Sequence, residues 1–322
     1  GYLRADPRDR ASVEKAIAAA RTLVGEFDKP RYVRVDEGLC AHSRSKKTGC
    51  TRCLDLCPTG AILPGGDHVS VSAEICAGCG ACAAVCPTGA ITYALPPADA
   101  VLRRVRTLLS TYAKAGGSDP ILLVHEGEHV EPLIDALARF GDGLPAHVLP
   151  LRVNEITQTG LEFAAAALAY GASGLRFLTR EKPKHDVASL ERNIAYAETL
   201  GLALGYGAGR VAAIATDDPD MLGKALRAIS LEPAVAVPAR FLPMGAGRPL
   251  LKSAILEMHR AAPAPVDVVE MPALAPFGGL DIRVEGCTLC LACVAACPVS
   301  ALGDDKERPT LTFQEALCVQ CG

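Results

Sequence analysis

The sequence predicts an α/β plus α+β protein, with two small cysteine-rich modules flanking a doubly wound parallel-sheet domain. Two observations carry that prediction. The 14 cysteines are bunched: eight lie between Cys40 and Cys86, six between Cys287 and Cys321, and the 200 residues between hold none. The cysteine-free middle alternates short continuous apolar runs with helical patterns about four times, the signature of a parallel sheet covered on both faces. The size agrees, since 322 residues exceed the ~150 of an average domain. Half the residues are hydrophobic and 21% charged, enough to bury a core.

Five segments follow in order. Residues 1–35 hold an amphipathic helix over 12–24, where Val13, Ile17, Ala20 and Val24 recur at helical spacing. Asp9 or Ser12 suits its cap, and Gly25 and Pro30 end it. Residues 36–95 form the first cysteine module. Residues 96–230 are the middle domain. There Leu102–Leu109 reads as a helix and Gly116-Gly117-Ser118 as a break. Ile121–Val124, His147–Leu149, Leu175–Leu178 and Val211–Ala215 read as strands. The intervening helices fall at about Val130–Phe140, Ile156–Tyr170 and Val187–Leu204. A last helix runs to about Ile229, opened by Asp217-Asp218-Pro219 with Asp as cap and Pro in the first turn. Residues 231–280 carry eight prolines and read as an extended linker broken by one helix, about Pro249–Ala261. Residues 281–322 begin a second cysteine module that runs off the end.

Composition narrows the function. A net charge of −3 gives no general attraction to nucleic acid or anionic membrane. The longest apolar run, Phe163–Tyr170, spans eight residues where a membrane helix needs ~20. Seven disulfides do not suit a chain with this much core. No export pattern opens the chain, and reduced thiols suit the cytoplasm. Gly1 replaces the usual Met, which reads as a processed, engineered or cut start.

The cysteine gaps are metal-ligand spacing. Cys76-x2-Cys79-x2-Cys82-x3-Cys86-Pro87 and Cys287-x2-Cys290-x2-Cys293-x3-Cys297-Pro298 are two complete runs of one motif. Cys50-x2-Cys53-x3-Cys57-Pro58 is three-quarters of a third, with Cys40 available as its first cysteine if nine residues replace two. Cys318-x2-Cys321-Gly322 starts a fourth. A cubane cluster offers four iron corners, each wanting a thiolate. Two-residue gaps let three nearby sulfurs reach three corners, and small residues such as Ala77, Gly78, Gly80 and Ala81 let the backbone wrap the cluster. The fourth cysteine sits beyond a helical turn that its following Pro cannot continue. Four-cysteine zinc sites, the main alternative, come instead as two separated CxxC pairs. Clusters that only staple the fold are a further alternative. Short strands at His68–Val71, Ala90–Tyr93 and Leu311–Phe313 bracket the motifs, and the inter-motif gaps of 18 and 20 residues suggest two copies of one unit.

These stretches, about a third of the chain, resemble the bacterial-type two-cluster ferredoxins. The resemblance implies ferredoxin-like modules and crossed ligation. Cluster 1 would take Cys40, Cys50, Cys53 and Cys86; cluster 2 would take Cys57, Cys76, Cys79 and Cys82. Cys287, Cys290 and Cys293 would hold cluster 3, and Cys297, Cys318 and Cys321 cluster 4, each short of one ligand. The two absent ligands would fall just past Gly322, so the chain reads as a fragment with two complete [4Fe-4S] clusters of up to four in the full-length protein. The polar stretch Ala41–Gly49, with Arg44, Lys46 and Lys47, reads as a surface insertion or a docking loop. His42 is an alternative ligand to Cys40.

Other signals carry less. His125-Glu126-Gly127-Glu128-His129 fits HExxH, but it follows a strand directly and Gly127 sits in its middle. At the carboxyl end of a parallel strand, His125 and Glu126 become candidates for a binding or partner site. Gly205-x-Gly207-x-Gly209 precedes a strand and so has the wrong order for a dinucleotide fingerprint. Gly245-Ala246-Gly247 opens a helix without a P-loop Lys-Ser/Thr pair.

Val153–Gly160 and Tyr170-Gly171-Ala172 resemble the small α/β subunit of hydrogenase and heterodisulfide reductase complexes, without the cysteines that hold a two-iron cluster there. The overall layout resembles multi-cluster iron–sulfur proteins associated with bacterial formate dehydrogenases. The expected function is electron transfer through [4Fe-4S] clusters to or from a redox partner such as formate dehydrogenase, as a non-catalytic carrier or oxidoreductase subunit. The alternatives are a catalytic subunit with flavin or substrate on the α/β domain, and a maturation or scaffold protein for a metalloenzyme.

Overall fold

Helix capping sets the first element. Asp9 accepts from the Ala11 N–H at 3.1 Å and starts α1 (Arg10–Arg21), which ends three residues before the expected Val24. The computed structural model describes residues 3–321 except 27, 45, 232 and 234; Ser45 of the polar stretch and Gly322 lie outside the described residues. α1 belongs to the first thirty residues, which form a unit of their own, and it buries no side chain.

The second unit opens with a small α+β layer. β1 (Val33–Val35) is followed by α2 (Arg52–Leu56), β2 (Ile62–Gly65), β3 (His68–Val71), α3 (Ala81–Ala84) and β4 (Ile91–Tyr93). β2 and β3 form an antiparallel hairpin, and β1 pairs antiparallel with β4. Ile62, Val69 and Ile91 meet Cys40, Cys53 and Cys82 in one core.

The middle follows as α4 (Ala98–Lys114), β5 (Ile121–Glu126), α5 (Gly127–Phe140), β6 (Val148–Val153), α6 (Leu161–Ala169), β7 (Gly174–Thr179), α7 (Ala188–Ala203), β8 (Val211–Ala215) and α8 (Pro219–Arg227). The strands form one parallel sheet in the order β6-β5-β7-β8. Alternate residues of β5 serve opposite faces. Leu122 and Val124 join the core under α4, α6 and α7, whereas Ile121 and Leu123 join the core under α5 and α8. Both faces are therefore covered, as the continuous apolar strands require. Asp218 caps α8 through the Asp220 and Met221 N–H groups, with Pro219 in the first turn.

The helix expected from Ile156 begins only at Leu161. Ile156–Gln158 instead form a 3-10 turn, followed by Gly160 in extended backbone. Glu126 Oε1 accepts from the Ile156 N–H at 3.2 Å, and Thr159 Oγ1 donates back to the Ile156 carbonyl at 2.6 Å. Those bonds hold the chain in a turn that an α-helix would unwind.

α9 (Gly247–Ala261) packs along α6. The alanines of α6 let the two helices approach, and Leu250, Ala254 and Met258 are fully covered. Burying a side chain such as Met258 contributes roughly 1.5–3 kcal/mol. The proline-rich stretches on either side of α9 lie on the same core through Val235, Phe241, Met271 and Phe277. α10 (Ala292–Ala296) and the hairpin β9 (Leu302–Asp305) and β10 (Thr310–Phe313) complete the chain.

Candidate metal centre

The eight thiols of the first cysteine segment gather in space. Cys50 and Cys53 both feel the charge of Cys40 and Cys86, although 46 positions separate the last two in sequence. Cys82 feels Cys79, Cys53, Cys76 and Cys57, and Cys79 feels Cys57 and Cys76. Burial first, then the charges of Cys86, Cys50 and Cys40, push the Cys53 thiol up to about 12. Burial likewise pushes Cys50, Cys79 and, most strongly, Cys82 upward. Several buried thiolates around one centre need cationic metal between them.

The donor set fits a four-iron cluster. Cys57, Cys76, Cys79 and Cys82 border one small cavity. A cubane takes one thiolate on each of four separate corners.

The backbone repeats between the two halves. Cys57-Pro58-Thr59-Gly60 and Cys86-Pro87-Thr88-Gly89 are the same tetrapeptide. Each threonine hydroxyl lies near its cysteine sulfur, at 3.7 Å and 3.6 Å. For Cys57 burial pulls upward, yet Thr59 and the N–H groups of Ala61 and Ile62 hold the thiol below its ordinary value. The Ile91 N–H donates to Cys86 Sγ at 3.4 Å. Gly80 has φ +78°, and a Cβ there would stand 2.6 Å from the Gln158 Cβ. Only glycine fits that crossing.

His42 Nδ1 lies 3.0 Å from the Cys50 carbonyl oxygen, and the Gly49 N–H donates to the His42 carbonyl at 2.7 Å. The polar stretch is thereby pinched at its base, with Ala41 and His42 buried.

The Asn154–Gly160 stretch grips the second motif. Thr157 Oγ1 donates to the Cys79 carbonyl at 2.6 Å, Tyr93 Oη to the Gly78 carbonyl at 2.8 Å, and Asn154 Nδ2 to Tyr93 Oη at 2.5 Å. Sequence reading found this stretch by resemblance but not its contacts.

The C-terminal cysteines divide. Cys321 feels Cys297 and Cys318, and the Ala301 N–H donates to Cys297 Sγ at 3.2 Å. Cys287, Cys290 and Cys293 are exposed. Leu289 (φ +52°) and Leu291 (φ +59°) hold the left-handed backbone that Gly78 and Gly80 hold in the first segment. Ser300 (φ +52°) does so where the first segment has Gly60 and Gly89. Arg52, beside Cys53, donates to the Gln320 carbonyl at 2.9 Å. Arg248 donates to the Cys318 carbonyl at 2.8 Å and to the Pro276 carbonyl, and it lies over the Phe277 ring at 4.5 Å. The first and last cysteine segments therefore touch, although 268 residues separate Arg52 from Gln320. Sequence carried no signal for this, because the acceptors are carbonyls.

The HExxH residues part company. His125 ends up buried on β5, where burial lowers its basicity, while His129 lies on α5 and pairs with Asp217 at 3.1 Å. No helix presents both. Glu126 stands beside Glu155, whose carboxyl is raised to about 7 by burial first and then by the like charge of Glu126.

Residues 46–90 match the family model described as a 4Fe-4S dicluster domain. This segment is an iron–sulfur domain of the two-cluster kind. The match includes seven of the eight clustered cysteines and stops short of Cys40. No curated protein and no solved structure gives a significant match to the chain. No helix among the described residues is long and apolar enough to cross a membrane.

Proposed function

We propose that this protein relays electrons between redox partners through [4Fe-4S] clusters. The observation that carries the reading is the gathering of the eight clustered cysteines, seven of which lie in a segment that matches a dicluster domain. A bound [4Fe-4S] cluster takes up and returns electrons at a potential that its surroundings tune. On this reading Cys40, Cys50, Cys53 and Cys86 hold cluster 1, and Cys57, Cys76, Cys79 and Cys82 hold cluster 2. Cys287, Cys290 and Cys293 serve a third, and Cys297, Cys318 and Cys321 a fourth, in a second module over 281–322. The repeated left-handed backbone at Leu289, Leu291 and Ser300 supports that second module. The middle sheet domain orients the modules, and the residues of this chain contribute thiolates, N–H donors to sulfur and shelter from water. The partner is a redox protein; formate dehydrogenase is the one that the overall layout suggests.

The test is iron and acid-labile sulfide per chain after anaerobic purification, with visible and EPR spectra before and after dithionite. The first module should supply about eight iron and about eight sulfide, four of each per cluster. Zinc without sulfide would overturn the reading.

A further inference from the structure

A cleft of about 220 Å³ lies where the first cysteine module, α6, α7 and the start of α9 meet. Three guanidinium groups line it: Arg52, Arg192 and Arg248. Other arginines of the chain are ion-paired, as Arg103 is with Asp99 and Arg152 with Glu131. Among the described residues these three have no carboxylate partner, and Arg52 and Arg248 hydrogen-bond only to main-chain carbonyls. Three cations around one sheltered space repel one another unless an anion joins them.

The remaining lining refines the occupant. The first turn of α9, a helix of 15 residues without a side-chain cap, borders the cleft and offers free N–H groups. Leu161, Leu251 and Leu274 give the cleft an apolar wall. Two acids also line it. Asp55 accepts from the Thr51 hydroxyl at 2.9 Å, and Glu162 folds back over Gly160. They leave the arginines in excess.

We propose that this cleft binds a small organic carboxylate with an apolar body. Arg192 and Arg248 engage the carboxylate, and the leucines cover the body. Cys86 is also part of the wall, so the occupant lies against the first cysteine segment. The site stands on its own residues and does not depend on the identity of the metal.

The experiment is anaerobic isothermal titration of the purified holoprotein with benzoate and inorganic phosphate. Benzoate should bind saturably, and phosphate, which lacks the apolar body, more weakly. Arg192→Gln, checked for unchanged iron content, should weaken benzoate by about tenfold, the scale of one charge-assisted hydrogen bond. Arg139→Gln, on α5 in an ion pair with Asp135, should change nothing. No saturable binding, equal binding to the Arg192→Gln variant, or binding of phosphate alone would each overturn the proposal.

Discussion

Gly89→Ala and Gly60→Ala place the same change at equivalent positions of a repeated tetrapeptide, three residues after Cys86 and Cys57. Both glycines have left-handed backbone, φ +76° and +66°. A Cβ costs about 1–2 kcal/mol at either site for that conformation alone. The surroundings differ. At Gly60 a Cβ meets nothing within 4 Å, whereas at Gly89 it would stand 2.6 Å from the Gly247 Cα and 2.8 Å from the Arg248 N. Main chain cannot swing aside as a flexible side chain does, so overpacking adds about 1–3 kcal/mol more. Gly89→Ala should therefore cost about 1–3 kcal/mol more than Gly60→Ala. Thermal melts of the anaerobic holoprotein, followed by circular dichroism and by loss of visible absorbance, measure the difference. Each kcal/mol moves the midpoint by roughly 2–4 °C in a unit of this size. Equal falls in the two variants would refute the close crossing of the module and α9. Gly247→Ala, with φ +62° and the same 2.6 Å approach, should match Gly89→Ala.

Three further outcomes follow from the structure. Burial raises Glu162 to about 7 from the ordinary 4.5, so its stabilising neutral form is fully present at pH 4 and is lost as pH rises through 7. Between pH 5.5 and 8 the wild-type protein should lose about 1–3 kcal/mol more than Glu162→Gln, read from denaturation midpoints, and parallel pH profiles would refute this. Cys40→Ser should remove about four of the roughly eight irons of the first module while His42→Ala keeps them, by iron assay; the reverse result would make His42 the ligand. Arg52→Ala removes the bond to the Gln320 carbonyl, and Cys318 and Cys321 should then alkylate roughly tenfold faster, as loss of one charged hydrogen bond worth about 1.5–3 kcal/mol implies.

The strands of the central sheet were legible through their apolar runs, although β6 was expected to end at Leu149 and continues past Pro150 and Arg152 to Val153. Val211–Ala215 appears with its bounds unchanged, and Asp218-Pro219 opens α8 as its capping chemistry requires. The turn at Ile156–Gln158 was not legible, because the carboxylate that anchors it sits on β5, thirty residues away. The eight prolines of 231–280 led to the expectation of an extended linker, and composition did not reveal that Phe241 and Phe277 pack against the core. Cysteine spacing pointed to the segment that matches a dicluster domain, which holds seven of the eight clustered cysteines. Hidden from it were contacts made through main chain, such as Gly89 on Gly247 and Arg52 on Gln320. These depend on three-dimensional approach, and no residue type signals them.

The repeat of Cys57-Pro58-Thr59-Gly60 as Cys86-Pro87-Thr88-Gly89 gives two sulfurs the same immediate surroundings. What lies outside them differs. The polar stretch between Cys40 and Cys50 and the grip of Thr157 on the Cys79 carbonyl fall on different halves, and a Cβ on Gly89 would meet Gly247 where one on Gly60 meets nothing within 4 Å. Two sites alike at the sulfur are thereby set against different neighbours, so the same substitution speaks to a different part of the chain in each.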